Sequence, residues 1–95
     1  MHFVRDAKYT GGYELLLTFE DGSVRRVDLE PYLDGEIFEP LKDVAYFATV
    51  QVNREVDTIV WDNGADISPD FLYEIGEEVG TTDSVAAQTH GGTES

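Results

Sequence analysis

Residues 13 to 29, YELLLTFEDGSVRRVDL, place two β-prone runs on either side of Asp21-Gly22. An Asp-Gly pair accepts the positive φ values of a tight turn, so the stretch reads as a β-hairpin. Two registers compete. A two-residue loop sets Leu15 opposite Asp28, whereas a three-residue loop with a bulge sets Leu15 opposite Val27 and Tyr13 opposite Leu29. The second keeps one face more apolar and is the register expected.

Upstream, FVRDAKYT alternates imperfectly between apolar and polar residues up to Gly11-Gly12, which predicts a first strand ended by the glycines. Downstream, Pro31, Gly35 and Pro40 argue against a ladder strand and predict a folded connection pinned by Tyr32, Leu33, Ile37 and Phe38. From Pro40 to Phe47 the apolar residues Leu41, Val44, Ala45 and Phe47 have helical spacing, with Pro40 suited to the first helical position. ATVQVNREVDTIVWDN then returns to period two and predicts a second hairpin, its turn at Asn53 to Asp57, with Ile59 and Trp61 on an inner face.

The stretch IVWDNGADISPDFLYE, residues 59 to 74, turns this strand into a helix. Ser68 is a good N-cap, Pro69 a good first residue, and Asp70 an acid where the helix dipole favours one. Phe71, Leu72 and Ile75 supply the packing side of a helix ending near Gly76 or Gly80. In the corner itself, unusual backbone angles are expected at Asn63 and Gly64, and a local hydrogen bond at Asp66. From Gly80 onward only Val85 is a branched aliphatic, too little to offset the cost of ordering, so residues 80–95 are expected to form a flexible tail behind a single domain of residues 1–79.

A chain of 95 residues has room for about one core. Hydrophobic content of 41%, with five Phe, five Tyr and one Trp, suits a globular domain, and the absence of cysteine excludes disulfides and thiolate chemistry. No apolar run approaches the roughly 20 residues that span a bilayer, and the first residues show no signal-peptide pattern. A cytoplasmic location is therefore expected. The formal net charge is -14, from 20 acidic and 6 basic residues. Such a surface repels nucleic acid and anionic lipid and attracts a basic protein, although acidic surfaces also serve solubility alone.

Catalytic chemistry finds little support. The only histidines are His2, at the terminus, and His90, in the expected tail, so neither is placed as a general base held in fixed geometry. No glycine-rich phosphate loop is present. A calcium loop read from Asp62 puts glycine at its third position, proline at its eighth and Tyr73 at its twelfth, which fails the EF-hand pattern. A looser oxygen-ligand site through Asp62, Asp66 and Asp70 stays open, and with it a small metal-dependent enzyme, as does a chance pair of carboxylates. Arg25 and Arg26 are adjacent but face opposite sides of a strand, so they form no basic patch and should pair with Glu14, Glu20 or Asp28. Trp61 reads as core rather than as a ligand platform.

Four segments together resemble the bacterial family known as domain of unknown function 2442, whose structures resemble the N-terminal domain of a Nitrosomonas protein. They are LTFEDGSVRRVDL, LDGEIFEPLKDVAYFATVQV, TIVWDNGAD and ISPDFLYE, within a resemblance that covers residues 3 to 78. The resemblance implies a small α+β domain with a mainly antiparallel sheet and short helices, and no established activity. Some members resemble antitoxin partners encoded beside a small protein of domain of unknown function 4160, and some longer ones add a helix-turn-helix domain. The resemblance here covers only the α+β part, so no repressor role is expected. Relatives usually carry proline between the tryptophan and NGAD, where this chain has Asp62.

The expectation is an α+β fold with two hairpins, an N-terminal strand and two short helices. Its function is expected to be non-enzymatic binding of a small basic protein, antitoxin-like, through Asp62, Asn63, Asp66, Asp70 and Tyr73, with no cofactor. The alternatives are the metal-dependent enzyme and a self-associating domain built on an open sheet edge.

Overall fold

The structure, a computed structural model, describes residues 1–81. At its centre stand β2 (Glu14–Phe19) and β3 (Ser23–Asp28), paired with Leu15 opposite Val27 and Thr18 opposite Val24. The Gly22 amide donates to the Phe19 carbonyl at 2.9 Å, and Gly22 closes the loop at φ 86°. This is the three-residue loop, and the Leu29 amide extends its register by donating to the Tyr13 carbonyl at 2.9 Å. Leu15, Leu17, Phe19 and Val27 all fall on one face and are buried, which is what this register achieves and its competitor does not.

β1 (Val4–Gly11) flanks β2, antiparallel, with Ala7 opposite Leu17 and Tyr9 opposite Leu15. Its imperfect alternation has a structural cause. The register shifts between Val4 and Asp6, so Val4 points to the core ahead of a bulge and Ala7 and Tyr9 do so behind it.

On the far side of β3 lies β6 (Glu77–Thr81), a strand that apolar periodicity does not reveal. Arg26 pairs with Glu77 and Arg25 with Glu78, so the acidic strand completes an order β1-β2-β3-β6 beside the two arginines. Gly80 and Thr81, expected in the tail, therefore belong to the sheet. The remainder of that expected tail, residues 82–95, lies outside the described residues.

The second hairpin forms as expected from β4 (Gln51–Asn53) and β5 (Thr58–Val60), but as a separate two-stranded sheet. It abuts the start of β1, where the Val4 amide donates to the Asp57 carbonyl at 2.9 Å. The fold is α+β with a mainly antiparallel main sheet.

The helix expected from Pro40 to Phe47 divides. Glu36–Lys42 is a 3-10 segment with Pro40 inside it, and α1 is only Val44–Phe47. Between them Asp43 is extended at φ -79°, ψ 115°, and its carboxylate accepts from the Ala45 amide at 3.1 Å. An aspartate that can cap its own following turn competes with helix continuation, and here the cap wins. α2 (Pro69–Ile75) begins as expected at Ser68, whose hydroxyl accepts from the Phe71 amide, and ends at Gly76.

The core joins the inner face of the sheet to Leu29, Leu33, Leu41, Phe47, Ile59, Trp61, Ala65 and Leu72. Trp61 is buried against Phe47 and donates its indole N–H to the Phe47 carbonyl at 3.0 Å, so it is a core residue. Of the four residues expected to pin the connection, Leu33 is buried and Phe38 half-buried, but Tyr32 is 42% and Ile37 46% exposed. Two short 3-10 segments, Glu30–Tyr32 and Glu36–Lys42, keep the connection close to the core with few positions facing inward.

Candidate functional site

The corner after β5 is built by Asn63. Its side-chain oxygen accepts from the Ala65 amide at 3.0 Å, while its side-chain nitrogen donates to the Ile37 carbonyl at 2.9 Å. The Gly64 amide donates to the Trp61 carbonyl at 3.0 Å, and Gly64 adopts φ 92°. Asn63 keeps a negative φ, and it rather than Asp66 supplies the local hydrogen bond, because the amide group offers a donor and an acceptor together. The second bond reaches across 26 residues and ties this corner to the 3-10 segment around Ile37.

That tie brings two acidic stretches side by side. Asp28, Glu30, Asp34, Glu36, Glu39 and Asp43 occupy the first, residues 28–43; Asp62, Asp66, Asp70 and Glu74 occupy the second, residues 62–74. Lys42 is the one cation in either stretch, and it is paired with Glu39 at 3.1 Å. Asp28 and Asp43 accept from local amides, and Asp70 from the His2 amide at 2.7 Å. Glu30, Asp34, Glu36, Asp62, Asp66 and Glu74 have no ion pair or hydrogen bond of their side chains among the described residues. The arginines lie elsewhere: Arg5 pairs with Asp57 at 3.3 Å, and Arg26 with Glu77 at 2.6 Å and Glu14 at 3.3 Å.

Between the two stretches opens a cavity of about 410 Å³ lined by Pro31, Tyr32, Asp34 and Phe38 from one side and Asp66, Ile67, Ser68 and Phe71 from the other. Tyr32 and Phe71 meet edge to face in its wall, centroids 5.2 Å apart. Among the described residues no group of three or more His, Asp or Glu is placed to hold a metal ion, so Asp62, Asp66 and Asp70 are not gathered around a common point.

The five residues singled out from the sequence thus separate. Asp66 lines the cavity, Asn63 braces its wall, and Asp62 is exposed in the turn. Asp70 and Tyr73 face a different neighbourhood, where the N-terminal residues are held against the sheet. There the Tyr73 ring stacks on His2 at 3.5 Å, nearly parallel at 5°, and carries the Arg25 guanidinium 3.7 Å from its centroid. Two groups so close to one centroid occupy opposite faces of the ring. The Tyr73 hydroxyl donates to Asp21 at 2.8 Å, and Arg25 donates to the Gly76 carbonyl at 3.1 Å. Arg25 is therefore no ordinary surface pair; it shares the inner face with Leu17 and Val27 and is largely covered by Tyr73. The Ser23 amide and hydroxyl both donate to Asp21, and these bonds, with the one from Tyr73 and the charge of His2, hold its carboxyl at about 2 against the opposing effect of burial.

Sequence reasoning missed the cavity because Tyr32 and Phe71 read as packing residues and not as the wall of an opening. It missed the role of His2 because a terminal residue has no periodicity to mark it.

A family model described as "Protein of unknown function (DUF2442)" matches residues 4–78. The chain belongs to the DUF2442 family. No curated protein and no solved structure matches it. The family match takes in the whole acidic corner and the cavity, and it brings no activity with it. No helix among the described residues is long and apolar enough to cross a membrane.

Proposed function

We propose that this domain is a non-enzymatic protein-binding module that takes a small basic protein on its acidic face, as an antitoxin-like partner does. The observation that carries this reading is the juxtaposition of residues 28–43 and 62–74, rich in carboxylates without side-chain partners, around an aromatic-lined cavity. Folding alone does not favour such an arrangement, since like charges brought together repel. A cationic surface docked there would relieve the repulsion and be steered to it over about a Debye length of 10 Å at ordinary salt.

The test is capture from the native host on the immobilised domain, with the retained protein then purified and titrated directly. A basic protein should bind with an affinity that falls as salt rises, and should bind the Asp34→Asn/Asp66→Asn double variant more weakly. Binding that ignores both salt and those substitutions would contradict the proposal.

A further inference from the structure

The cavity between the acidic stretches combines three aromatic rings, those of Tyr32, Phe38 and Phe71, with the carboxylates of Asp34 and Asp66, and no cation among the described residues lines it. This combination discriminates among occupants. A purely apolar group would strip water from Asp34 and Asp66 without replacing it, and an anion would be repelled by both. A cation on an apolar stem satisfies every part of the wall at once. A guanidinium does so best, because it is planar, stacks on aromatic faces, presents paired donors to carboxylates and is less strongly hydrated than an ammonium. Its aliphatic stem suits Pro31 and Ile67 at the rim. The amino end of α2 opposes a cation, but a seven-residue helix carries at most about half a unit of charge there against two carboxylates.

We infer that this cavity receives an arginine side chain presented by the basic partner. The inference rests on the binding-module reading and gives that partner its anchoring residue. A cavity of about 410 Å³ holds the side chain with room for part of a flanking residue. Tyr32 is the exposed ring, and beside its edge-to-face contact with Phe71 it offers the guanidinium an aromatic surface, while Asp34 and Asp66 accept its N–H donors.

The probe is the capped tripeptide acetyl-Gly-Arg-Gly-amide, compared with the same peptide carrying citrulline, which keeps the shape and removes the charge. Amide NMR spectra of the full chain should show Phe38, Asp66, Ile67 and Phe71 shifting together with the arginine peptide. The citrulline peptide should bind about tenfold more weakly or worse. Asp34→Asn/Asp66→Asn should weaken the arginine peptide about tenfold, and Tyr32→Ala, at a ring already half in solvent, several-fold. Equal binding of the two peptides, or shifts spread over every acidic stretch without concentration at the cavity, would overturn the inference. An arginine nonapeptide separates this failure from that of the module. If it binds the acidic face of the double variant as well as the wild type, the cavity assignment falls and the module stands; if it binds nowhere on that face, both fall.

Discussion

Gly64 and Gly76 show two different reasons for glycine at the corners of one short helix. Gly64 sits at φ 92° with open space around its missing Cβ, so Gly64→Ala should cost about 1–2 kcal/mol through backbone strain alone. Gly76 has an ordinary φ of -74°, but a Cβ there would lie 2.9 Å from the Leu72 carbonyl oxygen, 3.0 Å from Arg25 and 3.1 Å from Val27. Gly76→Ala should therefore cost about 1–3 kcal/mol by forcing α2 off β3. Urea midpoints measure both, and a neutral Gly76→Ala would mean that the end of α2 is not seated against the sheet. Asp21 gives a pH signature. Its carboxyl is at about 2 in the fold against 3.8 for an unperturbed group, so folding favours the ionised form. That contribution is fully present above pH 3.8 and is lost as pH falls through about 2. Between those values the melting temperature of the wild type should fall more steeply than that of Asp21→Asn; parallel curves would show that the Ser23 and Tyr73 bonds do not persist in solution.

At the scale of elements, β6 is the strand whose existence depends most on charge. Glu77 and Glu78 lie opposite Arg26 and Arg25, and both glutamates are exposed, so each pair is worth at most about 1 kcal/mol. Glu77→Lys places like charges opposite each other and should raise hydrogen-exchange rates in β6 and along the β3 edge, while β1 and β2 keep their protection. Unchanged exchange would mean that backbone pairing alone holds β6. This is also where the sequence was hardest to read. The hairpin at Asp21-Gly22, the second hairpin and the Ser68-Pro69 helix start were legible because each has turn or cap chemistry joined to periodicity. β6 has neither, and its signal lies instead in two glutamates spaced to meet two arginines about fifty residues away. The division of the helix at Asp43 was equally hidden, since a capping aspartate and a helix-interior aspartate look alike in sequence. Of the candidate site, the acidic corner was visible as composition. The cavity was not, because it arises from the Asn63 side chain reaching Ile37 across the fold.

For the whole molecule, a net charge of -14 is carried unevenly, with three of the arginines already in ion pairs and the carboxylates of residues 28–43 and 62–74 largely without partners. Screening should stabilise such a protein, so its melting temperature should rise as sodium chloride is increased from about 0.02 to about 0.3 M. A fall would show that the ion pairs on the sheet outweigh the repulsion. By the same argument, Asp34→Asn/Asp66→Asn should be no less stable than the wild type, which separates a binding role for these carboxylates from a structural one. The most direct test of the account is an amide NMR titration of the full chain with a lysine-rich nonapeptide at low salt, read by location. Shifts should concentrate in residues 28–43 and 62–74 and be reversed by salt, with β1, β2 and β3 up to Val27 unmoved. Shifts centred on the sheet, or none on the acidic face, would contradict it.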